Sequence, residues 1–327
     1  MVDGGADSPA KTGSSQAGPT QAGPTQAGSG VLAARPVLGA GAMLGNTLLI
    51  PLMAVAIRYL EALEIGTLEM LSWRTFLVLG VLLPIAALPR FRREVMSADR
   101  RAHLVHAAFT ISAMSCFYVA IQHLSIATAT AINFTTPIFA LLLAAVFFGE
   151  RVTRASWVAV AVGFLGALLI LRPSAEGVSF GAGIALVGAL LGSGMALAVR
   201  RMPARSSNFA VIFHLSLFGG LLFAPLYAAE ARIPPLPAWP WLAMLAAVAL
   251  GVHSLLALAY RLSSSMVVGG LDYARLIWAL ALGYLLFAEI PDLWDAAGIA
   301  LIVASGLFIL YREMKPRRAP QADMSVS

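Results

Sequence analysis

The chain has 327 residues, 59% of them hydrophobic and 12% charged; soluble domains carry roughly 45–50% and about 25%, so this much apolar surface excludes an ordinary soluble core. Its net charge of +6 is scattered through short gaps between apolar blocks and forms no continuous basic face, which excludes a nucleic-acid-binding protein. The single cysteine, Cys116, excludes an intramolecular disulfide and a paired-cysteine metal or redox motif.

Residues 1–34 are rich in Gly, Ala, Ser, Pro and Gln and repeat Gln-Ala-Gly-Pro-Thr at Gln16 to Thr20 and Gln21 to Thr25. Such a segment buries too little apolar surface to fold, and it lacks the apolar stretch of a signal peptide. It reads as a disordered cytoplasmic tail. Apolar blocks follow at about 37–57, 68–88, 103–121, 125–148, 154–171, 179–199, 208–228, 239–260, 265–288 and 294–311. Each has the length that spans a bilayer as a helix, which predicts ten transmembrane helices and a short cytoplasmic tail over 315–327.

Short cytoplasmic loops collect Lys and Arg. The gaps after spans two, four, six and eight, with the C-terminal tail, hold Arg90, Arg92, Arg93, Arg100, Arg101, Arg151, Arg154, Arg200, Arg201, Arg205, Arg261, Arg312, Lys315, Arg317 and Arg318; the opposite gaps hold Arg58, Arg172 and Arg232. Both termini are therefore expected in the cytoplasm of a bacterium, with Glu61, Glu64, Asp292 and Asp295 on the outer side of its inner membrane.

The two halves resemble each other. Gly39 to Arg58 lies over Gly181 to Arg200 without a gap, and Ser125 to Glu150 lies over Ser264 to Glu289, pairing Asn133 with Asp272 and Phe134 with Tyr273. Five spans per repeat is an odd number, so the second copy enters the membrane upside down. The expected fold is an all-α membrane protein of ten transmembrane helices in two inverted five-helix repeats, 35–173 and 174–314, an architecture of many secondary transporters.

The five-plus-five pattern, Arg74 within Leu71-Ser72-Trp73-Arg74, Pro137 within Thr136-Pro137-Ile138 and the pair Gly149-Glu150 resemble the EamA type of the drug/metabolite transporter superfamily, over residues 36 to 314. Leu271 to Trp278, followed by Gly283 to Asp292, is similar to a subgroup containing riboflavin and S-adenosylmethionine uptake proteins. The family also includes amino-acid and drug exporters. The second repeat has Leu276 where the first has Pro137, and this departure implies a straighter ninth helix.

Ionisable side chains inside spans cost roughly 2.5–3.5 kcal/mol on insertion scales, so each is a candidate site facing protein or water. Arg275 lies about ten residues into span nine, roughly 15 Å deep at the helical rise, and Asp272 shares its helix face. The pair reads either as a border of the central cavity that exchanges partners with substrate or a proton, or as a permanent ion pair. Arg74, about seven residues into span two, reads as a ligand or gating contact or as a side chain snorkelling to the outer face. His214, aligned with Arg74 across the repeat, and His253, mid-span in helix eight, read as proton-relay groups or as packing residues.

Asn46, Tyr118, Asn133, Tyr260, Tyr273 and Trp278 offer hydrogen bonds and flat surfaces to a metabolite, or serve ordinary helix packing. Gly41 with Gly45, and Gly188 with Gly192, are expected to let helices approach closely; Pro51 and Pro137 are expected bend points. Glu150 and Glu289 are expected to cap the helices that follow them. His103 and His106 have no carboxylate or cysteine companions, so no metal is expected, nor any cofactor.

These readings converge on a secondary carrier that moves a zwitterionic or heterocyclic metabolite through the lipid bilayer by alternating access. Substrate would meet Asn46, Tyr118, Asn133, His253, Asp272, Tyr273, Arg275 and Trp278, with Arg74, His214 and Asp272 in coupling or gating. No ATP-binding motif is present, so an ion or solute gradient would drive it. The alternatives are an exporter of amino acids or drugs, and a membrane enzyme on lipid-linked substrates, for which the loops are short and poor in acids. The oligomeric state stays open, a homodimer included.

Overall fold

The computed structural model describes residues 36–149, 153–171, 179–200, 202, 206–229 and 232–314. The predicted tails and Glu150, with its expected cap, lie outside the described residues. Where lipid is the solvent, every backbone group must find its partner within the segment, and the described residues accordingly hold helices and no strand. Ten helices among them are long and apolar enough to cross a membrane.

The first repeat contains α1 (Pro36–Ala62), α2 (Thr67–Ala87), α3 (Pro89–Met96), α4 (Arg100–His123), α5 (Ile126–Asn133), α6 (Thr136–Phe148) and α7 (Arg154–Leu171). The second contains α8 (Phe180–Arg200), α9 (Asn208–Ala228), α10 (Trp239–Leu262), α11 (Ser265–Asp272), α12 (Ala274–Phe287) and α13 (Leu293–Met314). The short α3, which carries Arg90, Arg92 and Arg93 and buries no residue, occupies what the sequence reads as a loop. Phe91 anchors it against Phe209 of α9, with ring centroids 4.6 Å apart.

The fourth span is α5 plus α6 and the ninth is α11 plus α12. In the fourth, Phe134 and Thr135 interrupt the helix ahead of Pro137, and Thr135 N–H reaches back to the Ile132 carbonyl at 2.9 Å. The expected straighter ninth helix is not found: it too is interrupted, at Tyr273, where Leu276 N–H bonds the Tyr273 carbonyl at 3.1 Å. The break is shorter by a residue but does not need the proline. It is fixed instead by packing, since the Tyr273 ring stacks on Phe134, its counterpart in the first repeat, with centroids 4.7 Å apart and planes 8° from parallel.

The same chain grammar recurs in both copies. Ser125 caps α5 through Thr128 N–H, and Ser264 caps α11 through Val267 N–H. Gly149 and Ala288 end α6 and α12 in the left-handed region, with φ of 63° and 53°. Packing repeats as well: α4 packs on α8 as α10 packs on α1, and α6 on α8 as α12 on α1. The helices α2 and α9, and α7 and α13, meet their own counterparts. Exchanging the copies therefore returns the same neighbours, as two inverted repeats about a twofold require.

Where α7 crosses α13, a Cβ on Gly166 would lie 2.7 Å from the Gly298 carbonyl oxygen, and one on Gly298 would lie 2.6 Å from that of Gly166. The glycines singled out from sequence contribute less. A Cβ on Gly188 would come within 2.9 Å of the Cys116 Cβ, whereas Gly41 has nothing within 4 Å and Gly192 has only ordinary contact with Thr136.

Candidate transport site

Arg58, Arg74 and Arg275 lie within the first, second and ninth spans, and each is handled differently. Arg58 was expected in a gap, but α1 runs on to Ala62 and keeps it helical. Its guanidinium Nη2 donates to Glu289 Oε1 at 2.9 Å and to the Leu124 carbonyl at 2.7 Å. Glu289 Oε2 in turn accepts from Ile126 N–H at 2.8 Å. Glu289 thus caps α5 and not the helix after it; that role falls to Asp292, which accepts from Asp295 N–H at 2.9 Å. The left-handed turn at Ala288 carries the chain into Glu289, and Gly283 leaves room for the carboxylate, since a Cβ there would sit 2.8 Å from Oε2. One end of the bundle is so tied across α1, α5 and α12, joining the two repeats.

Arg275 bonds Asp272 across the ninth-span break, and its guanidinium carbon stands 4.9 Å from the centroid of the Phe134 ring. Asp272 and Tyr273 line a cavity of about 200 Å³ with Phe134, Pro137, Gly306 and Leu310. Asn133, one residue before Phe134, is partly buried, and its carbonyl accepts from Thr136 Oγ1 at 2.6 Å.

Arg74 turns inward and does not snorkel. Its Nη1 contacts the Met114 sulfur, and its buried Nε has no partner. It shares a small cavity of about 20 Å³ with His253, Thr75, Met114 and Ser216, between α2 and α4 of one repeat and α9 and α10 of the other. Tyr118, one turn beyond Met114 on α4, is fully buried with an unpartnered hydroxyl.

The remaining predicted residues stand apart. Asn46 Nδ2 donates to the Val252 carbonyl at 2.7 Å and so ties α1 to α10. His214 bonds the Ala210 carbonyl at 2.8 Å through Nδ1 and stacks on His103 with centroids 4.6 Å apart. Trp278 is 37% exposed and lines neither cavity, and Tyr260 is exposed. Sequence reasoning passed over Met114, Ser216 and the Arg58–Glu289 tie. The signal for the tie was present: Arg58 and Glu289 end their aligned segments just as Arg200 and Glu150 do.

Similar proteins agree with this architecture. A pseudopaline exporter of Pseudomonas aeruginosa is 30% identical over 192 residues, 58% of this chain and 68% of its own. A riboflavin transporter of Rhizobium johnstonii is 29% identical over 244 residues, 72% of this chain and 79% of its own. An S-adenosylmethionine uptake transporter of Rickettsia bellii is 23% identical over 253 residues, 77% and 86%. A solved crystal structure shares the fold at a TM-score of 0.56 and 20% identity, covering 84% of this chain and 99% of that one. The EamA-like transporter family matches residues 37–172 and 179–311, one stretch in each repeat. The chain therefore belongs to the EamA-like transporter family, as a multi-pass membrane transporter and not an enzyme.

Proposed function

We propose that the protein is a secondary carrier that moves a small organic metabolite across a bacterial inner membrane by alternating access, with both termini in the cytoplasm. The observation that carries this reading is the exchange symmetry of the packing combined with a tie at one end. In two inverted copies, each can adopt the other's conformation, which trades an opening on one face for an opening on the other. The tie of Arg58, Glu289 and Ile126 would be the closed outer gate.

Solute would cross between the repeats. The Asp272–Arg275 pair and the Phe134–Tyr273 stack sit at helix breaks, where backbone irregularity is tolerated if it borders protein or a cavity. The relatives include one named for uptake and one for export, so the shared mechanism is carriage and the direction follows the gradient.

Counterflow in proteoliposomes tests the gate. Breaking one partner of a partly buried pair leaves an uncompensated charge, so Arg58→Glu and Glu289→Arg are each expected to lower exchange by about tenfold. The double charge swap is expected to recover most of it. Equal rates in wild type and both single variants would remove the gate from the reading.

A further inference from the structure

Of Arg58, Arg74 and Arg275, two have a carboxylate: Arg58 has Glu289 and Arg275 has Asp272. Arg74 has none among the described residues. Its contact is the Met114 thioether, a weak acceptor that carries no charge. A guanidinium cannot shed its proton to escape burial, so this charge needs an anion from elsewhere.

What surrounds it is built of groups able to donate. The Tyr118 hydroxyl is fully buried without a partner and lies within electrostatic range of Arg74. His253 shares the cavity and lies within range of both Arg74 and His106. His106, buried on the Tyr118 stripe of α4, leaves its Nδ1 unpartnered. Buried polar atoms without partners are rare in native proteins and call for a ligand or a water. A carboxylate accepts through about four lone-pair sites, suited to a guanidinium edge plus a phenol and an imidazole N–H.

We propose that Arg74, Tyr118 and His253 form a subsite for the carboxylate of the transported molecule. The subsite deepens the carrier reading and rests on it only for the claim that the anion is carried. Its walls come from both repeats, and α2 meets α9 closely there, since a Cβ on Gly219 would lie 3.3 Å from the Thr75 side chain. At about 20 Å³ the cavity holds one water, so a carboxylate enters only as the two repeats part. Binding is thereby coupled to their relative movement.

The test uses the purified full chain in chloride-free detergent buffer, with thermal unfolding followed by tryptophan fluorescence. The probes are benzoate against benzamide, nicotinate against nicotinamide, and sodium chloride and inorganic phosphate as inorganic anions. Each acid is expected to stabilise the protein at concentrations roughly tenfold to a hundredfold below its amide, the range a charged hydrogen bond supports. Arg74→Gln is expected to erase that preference, Arg74→Lys to keep part of it, and Tyr118→Phe to weaken acid binding without changing amide binding.

Equal response to acid and amide overturns the proposal, as does an unchanged preference in Arg74→Gln. Saturation by chloride alone, with carboxylates adding nothing, also overturns it in favour of an inorganic anion site. If Arg74→Gln does not fold, Arg74→Lys and Tyr118→Phe decide by the same criteria. Counterflow separates this failure from that of the carrier reading. Arg74-dependent carboxylate binding without exchange sinks the carrier, whereas exchange of carboxylates undiminished in Tyr118→Phe and Arg74→Gln sinks the subsite.

Discussion

At the scale of single residues, Asp272 and Arg275 illustrate how far spacing leads. Three positions apart on one face, they were expected to meet, and they do, across a break that spacing did not reveal. The pair is expected to serve transport: Asp272→Asn and Arg275→Ala should each lower counterflow at least about tenfold while leaving the protein in the membrane fraction. Wild-type rates in both variants would show that the pair only neutralises two charges. Arg74 was less legible. Whether a charged side chain seven residues into a helix turns to the interface or to the interior depends on what the neighbouring helices present, and here α4 presents Met114 and Tyr118. Glu289 shows the same limit, because its partners Arg58 and Ile126 are distant in sequence and close only through the fold.

At the scale of elements, the apolar blocks mapped closely onto the spans, since length and hydrophobicity are properties of the segment itself. The interruptions were only half legible. Pro137 signalled the fourth-span break because it lacks a backbone donor, but the ninth-span break has no local signature; it arises where Tyr273 stacks on its counterpart across the twofold. If packing is the cause, proline is dispensable in both copies. Pro137→Leu, which gives the first repeat a non-proline residue as in the second, is expected to keep counterflow within about threefold. Phe134→Ala removes an aromatic pair worth about 0.5–1.5 kcal/mol and the surface under Arg275. It is expected to lower thermal stability and transport together. A collapse of transport in Pro137→Leu with Phe134→Ala unaffected would reverse the assignment. The basic α3 escaped the sequence reading because its eight residues are too few and too polar to register as a span, although Phe91 and Val95 stand one turn apart and pack inward.

At the scale of the whole molecule, the inverted repeat was readable from two aligned stretches and an odd span count, because internal duplication leaves its record in the sequence. The proposed orientation has its own check: a reporter that works only in the cytoplasm, fused after residue 327, is expected to be active, and activity of a periplasm-specific reporter at the same place would invert the topology. The seam between α7 and α13 bears on how such a molecule moves. With the carbonyl of each glycine standing where the other's side chain would begin, nothing lies between the two backbones that could rotate out of the way. Gly298→Leu is expected to prise the helices apart and lower stability by about 1–3 kcal/mol, as overfilling a packed contact does, measured by thermal unfolding. A joint without upholstery has a fixed thickness, so the last span of each copy acts as one leaf of a hinge, and the swing of the bundle is set by where that pin stands.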